Sequence, residues 1–160
     1  MTFDNWSVAM NIVKLTSAML LAVALGSPAA IAVDTVATKG APDLTAVRAK
    51  IRAKDFQSAI LELNRMIDKG VQHADVYNLL GFSLRKTGDQ AKALTFYRKA
   101  LDFDADHKGA HEYLGELHVE RGELARAQEH LAILERLCPQ GCEERDDLAR
   151  AIGAAQARTN

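Results

Sequence analysis

Residues 74–107 read ADVYNLLGFSLRKTGDQAKALTFYRKALDFDADH, and residues 108–141 read KGAHEYLGELHVERGELARAQEHLAILERLCPQG. Laid one over the other, they place Leu80 on Leu114, Gly81 on Gly115 and Gly88 on Gly122. The same step taken backwards joins Ala59 to Ala93 and Ala127, Leu63 to Tyr97 and Leu131, and Asp55 to Asp89 and Glu123. Every spacing is 34 residues. A fixed period of this size marks a stacked-repeat architecture, in which one unit alone cannot bury its apolar face.

Each unit reads as a pair of helices. Tyr77, Leu80, Gly81 and Leu84 recur at helical spacing and form one face. Gly88 supplies the left-handed conformation that ends a helix at low steric cost, and Asp89 follows as an N-cap for the next one. Ala93, Phe96, Tyr97, Ala100 and Leu101 then form the face of the second helix. Small residues at Gly81 and Ala93 let the two helices approach closely, with Leu80 and Tyr97 filling the space beside them.

These residues closely resemble the tetratricopeptide repeat. The middle unit carries its pattern in Tyr77, Leu80, Gly81, Leu84, Ala93, Tyr97 and Ala100, with Ala105 where proline is usual. The next carries it in His111, Leu114, Gly115, His118, Ala127, Leu131 and Pro139, with Leu134 in place of the last alanine. Residues 40–73 match only in their second helix, through Phe56, Ala59, Leu63 and Met66; Ala46 and Val47 replace the Leu-Gly pair. The resemblance implies an all-α fold, an α-α solenoid of about three helix pairs over residues 42–158. After Gly141 one more amphipathic helix, about 143–157, is expected to cap the stack. Leu148, Ile152 and Ala155 form its apolar stripe, and Glu143, Glu144, Asp146 and Asp147 crowd a first turn where the helix dipole favours negative charge.

Before the repeats, Lys14 precedes an apolar run from Leu15 to Leu25, followed by Gly26-Ser27-Pro28 and Ala30-Ile31-Ala32. A positive start, a short apolar core and small residues at the end form the pattern of a secretory signal, with cleavage expected after Ala32. Translation starts at Met1 or at Met10, and residues 33–41 read as a flexible lead-in. The expected location is the periplasm or the exterior, with no stable membrane anchor after cleavage. Cys138 and Cys142 fall in the turn before the capping helix, where an exported chain favours a disulfide. Their spacing is not that of a redox-active C-x-x-C pair.

Little in the sequence points to catalysis. No H-E-x-x-H, Gly-rich phosphate loop or G-x-S-x-G occurs. His111 and His118 share one helix face and can be imagined as metal ligands, yet both occupy slots where the repeat places a large packing residue. No cofactor, metal or catalytic residue is therefore expected, and the chain reads as a binder and not an enzyme. A formal net charge of -1 argues against a strongly basic nucleic-acid surface.

The resemblance also implies that the first helix of each unit lines a groove. Its slots carry Arg48, Ile51 and Arg52, then Asn78, Phe82, Arg85 and Lys86, then Glu112, Glu116 and Glu120. Such a groove runs from basic to acidic, with Phe82 as an exposed apolar anchor. Leu79 and Tyr113 stand where the two-carboxylate clamp of chaperone-binding relatives needs polar groups, so recognition of a C-terminal carboxylate in that way is not expected. The expected role is an adaptor that binds a segment of another exported or envelope protein. A structural subunit that self-associates as a homodimer is the alternative, and a metal- or thiol-dependent activity stands third.

Overall fold

A computed structural model describes residues 40–159; the targeting segment expected over 1–32 and most of the lead-in lie outside them. Seven helices follow one another: α1 (Thr45–Arg52), α2 (Phe56–Asp68), α3 (Ala74–Lys86), α4 (Gln90–Phe103), α5 (Lys108–Glu120), α6 (Leu124–Leu137) and α7 (Glu143–Thr159). There is no strand among the described residues. Within units α1 packs on α2, α3 on α4 and α5 on α6; between units α2 packs on α3 and α4 on α5, and α7 closes against α5 and α6. The described residues form an all-α helical-repeat solenoid.

The turn inside each unit is one motif used three times. The Asp55, Asp89 and Glu123 amides donate to the carbonyls of Lys50, Leu84 and His118, at 2.9, 2.9 and 2.8 Å. This bond from a residue to the fifth before it requires a left-handed residue in between. Gly88 (φ 92°) and Gly122 (φ 73°) provide it. The first unit has Lys54 instead, held at φ 58°. Asp55 and Asp89 then cap the following helix by accepting from the amides of Ser58 and Lys92. Glu123 occupies the same position without capping. Its longer side chain turns back to His118, Arg121 and Arg126.

Packing follows the period. Ala59, Ala93 and Ala127 are fully buried, as are Leu63 and Tyr97. Gly81 is the tightest crossing in the middle unit, since an added Cβ would lie 2.8 Å from the Tyr97 ring and 3.2 Å from the Ala93 carbonyl oxygen. The third unit differs from the sequence expectation. Leu131 is only half buried and Leu134 is fully buried, while Gly115 faces Leu148 of α7, with an added Cβ 2.5 Å from it. A leucine does not reach as far as the tyrosine ring of the unit before, so α7 supplies the missing side chain. Leu148 also continues the series of Leu80 and Leu114. The last helix thus caps the stack by standing where the first helix of a further unit would stand, with Leu148, Ile152 and Ala155 buried. In the link before it Cys138 and Cys142 are bonded to each other, their Cα atoms 6.0 Å apart.

Two substitutions check this account in opposite directions. Gly81→Ala should cost about 1–2 kcal/mol, because overpacking against a buried ring outweighs the helix propensity gained. Lys54→Gly should stabilise by about 0.5 kcal/mol by relieving a left-handed residue. Urea midpoints for both read the result.

Candidate binding groove

Two adjoining recesses lie on the face formed by α1, α3, α5 and the start of α7. The smaller, about 180 Å³, is lined by Arg48, Ile51 and Arg52 of α1, Leu79 and Phe82 of α3, and Tyr113 of α5. The larger, about 370 Å³, shares Arg48, Leu79 and Tyr113 with it. It adds Asp75 and Asn78 of α3, His107 and Glu112 around α5, and Glu143, Glu144 and Asp147 of α7. Arginines thus line the α1 end of the two recesses and carboxylates the α7 end, the latter mostly from α7 and not from the α5 residues Glu116 and Glu120 expected there.

The residues assigned to the groove fall into two groups. Arg48, Arg52 and Lys86 are exposed, and the two arginines line the recesses. Phe82 is half buried and not the free aromatic expected. Its ring lies 4.8 Å from that of Tyr113 and 6.2 Å from that of Phe56, with the Lys86 ammonium 5.2 Å away. Asn78, Arg85 and Glu112 are buried, at 4, 8 and 8% exposure, so they are not solvated helix-face groups. Arg85 donates to Glu116 at 2.6 Å and to the Tyr113 carbonyl at 3.2 Å, and its guanidinium approaches Glu120 to 3.8 Å. It serves as a tie between α3 and α5. Glu116 and Glu120 are committed to that tie and line neither recess.

Burial sets the chemistry of Glu112. Together with the surrounding carboxylates of Glu116, Asp147, Glu144 and Glu143, it pushes this carboxyl up to about 8. Burial also raises the Tyr113 phenol to about 12, helped by Glu112 and Glu116.

Asp75, His107, Glu143, Glu144 and Asp147 were not foreseen as groove residues, although the period carried the signal. Counting 34 from Gly109 and Tyr113 reaches Glu143 and Asp147, and His73 recurs as His107. Both histidines cap helices, accepting from the amides of Asp75 and Ala110. His107 Nε2 also lies 3.1 Å from Asp75 Oδ1.

Away from the groove, His111 and His118 are buried as packing residues, with His130 between them. His111 Nε2 lies 2.9 Å from the Ala105 carbonyl, which can only accept, so Nε2 carries the proton. Its Nδ1 then accepts from His130 Nδ1 at 2.9 Å. His118 Nδ1 donates to Glu123 at 2.7 Å. No three His, Cys, Asp or Glu side chains among the described residues are placed to hold a metal.

Two pH effects of opposite sign follow. Burial, with His111, His118 and Arg98 around it, holds His130 at about 4 against an ordinary 6.5. Between those values the unfolded chain takes up a proton that the folded chain refuses. Stability from this site is complete above 6.5 and is lost as pH falls toward 4. His130→Phe should shrink the drop in stability between neutral and acid pH by about 1 kcal/mol. Glu112 works the other way. Folded, it keeps its proton from 4.5 up to about 8, where the unfolded chain has lost it, so stability falls as pH rises through that window. Glu112→Gln should therefore raise the melting temperature at alkaline pH by about 4 °C, the shift that about 1 kcal/mol gives in a domain of this size, with little change in acid. Thermal unfolding across the pH range measures both.

No curated protein matches the chain. Residues 74–107, which span α3 and α4, match the family model described as Tetratricopeptide repeat. That match falls on the unit with the most complete pattern, and tetratricopeptide repeats generally mediate protein–protein binding.

Proposed function

We propose that the protein is a non-catalytic adaptor of the cell envelope, which holds an extended segment of another exported protein in the groove of α1, α3, α5 and α7. The observation that carries this reading is the pair of adjoining recesses on the first-helix face, polar and acidic at one end, apolar and basic at the other. A bipolar surface of this kind fixes the register of a bound segment and speeds encounter. Export is supported by the signal-like pattern of residues 1–32 and by the bonded cysteine pair, which persists in oxidising compartments. Self-association has its own point of support in Leu61 and Phe103, large apolar side chains that stay exposed on α2 and α4.

Affinity capture from an exported fraction tests the reading, with wild type beside a variant carrying Phe82→Ala and Arg52→Glu. Loss of partner recovery by roughly tenfold or more is expected, the scale of losing one anchoring contact. Equal recovery would remove the groove from consideration. N-terminal sequencing of the exported protein should begin at Val33; an intact N-terminus would contradict the processing step.

A further inference from the structure

The larger recess presents acceptors with nothing to accept from. Glu112 and Asn78 are its most buried polar side chains, each more than nine-tenths covered. The Asn78 Oδ1 atom has no hydrogen-bond partner, and the Glu112 carboxyl group has neither a hydrogen bond nor an ion pair among the described residues. An unsatisfied buried acceptor costs on the order of 1–3 kcal/mol, and such a group calls for a donor. Glu143, Glu144 and Asp147 of α7 add further carboxylates to the wall. The one arginine lining it, Arg48, is directed to Asp75 at 3.6 Å, and His107 holds the same carboxylate. The acidic groups are too dispersed for three of them to close on a metal ion. Dispersed acceptors suit a cation that spreads its N–H donors, an ammonium with three or a guanidinium with five. Tyr113 adds an aromatic wall on which such a cation gains further.

We propose that this recess receives the charged end of a lysine or arginine side chain projecting from the bound segment, an inference that rests on the groove reading above. The smaller recess adjoins it through Arg48, Leu79 and Tyr113 and offers Phe82 and Arg52 to the neighbouring residues. The fitting segment thus carries a basic residue beside an apolar and an acidic one. A cation seated against Glu112 favours its ionised form. Because the empty site keeps that proton up to about pH 8, binding at neutral pH expels it, and affinity rises with pH. Arg48, Asp75, His107, Glu143, Glu144 and Asp147 face the same recess, so the part due to Glu112 is the part that Glu112→Gln abolishes.

A random decapeptide display library, panned against the full chain and against Phe82→Ala and Glu112→Gln, tests this. The enriched peptide, and a copy with norleucine in place of its basic residue, are then measured by calorimetry in buffers of different ionisation enthalpy. Wild type should enrich peptides with lysine or arginine at one fixed position. Norleucine there should weaken binding roughly tenfold or more, as should Glu112→Gln and, independently, Glu144→Gln with Asp147→Asn. Proton release should accompany binding to wild type and fall markedly in Glu112→Gln; unchanged release in that variant would contradict the role of Glu112. Peptides that depend on Phe82 but show no basic preference would overturn the cation site and leave the groove standing. Equal binding of the norleucine copy would do the same. Absence of any Phe82-dependent enrichment would remove the groove and this inference with it.

Discussion

At Gly81 the ring of Tyr97 fills the space a Cβ would occupy, and the Ala93 carbonyl closes the gap from beside it. That approach fixes the distance between α3 and α4, and the rest of the stack is built around it. Leu80, Leu84, Ala93 and Tyr97 belong to one continuous core that also takes in Val47, Leu63, Leu114 and Leu117. The cluster therefore reaches from the first helix to the fifth. With the helices held at this spacing, the first helices of successive units lie side by side, and the face they share becomes the groove. In the third unit the same demand for a close crossing at Gly115 is met by Leu148. The last helix is consequently part of the groove wall as well as a cap.

The polar groups of the groove show how a repeat face departs from an ordinary solvated helix surface. Arg85 is drawn inward because Glu116 and the Tyr113 carbonyl accept from its terminal nitrogens and Glu120 lies close by, and removing one partner of such a buried pair usually costs more than the pair contributes. Glu112 lies at a similar depth without a cation, and it responds by holding its proton. Both residues stand on the first helix of their unit, Arg85 on α3 and Glu112 on α5, yet they play opposite parts. One ties the units together, and the other leaves a charge site waiting for its complement.

Much of the architecture was legible because it rests on residues with few substitutes. Gly81, Gly88, Gly115 and Gly122 mark close crossings and left-handed turns, the small Ala93 and Ala127 mark helix contacts, and Asp55 and Asp89 mark helix starts. The site was legible only in outline. The family resemblance implied that Arg48, Asn78, Phe82 and Glu112 face a groove, but depth depends on neighbours from other helices, which no single helix pattern reports. Lys54 shows the same limit, since its left-handed backbone is imposed by the turn and not by its own preference. The contribution of α7 was readable in principle. Its acidic first turn suits the helix dipole, and extending the period past Gly141 also aligns Asp147 with Tyr113.

Photo-crosslinking inside the producing cell tests the central claim most directly. A photoreactive phenylalanine analogue is placed at position 82 in the groove, and separately at positions 61 and 103 on the second helices. The groove account predicts a crosslinked adduct with another exported protein from position 82 and none from 61 or 103. Adducts from 61 or 103 alone, above all ones at twice the mass of this chain, would contradict it and show that the repeats bind through their other face.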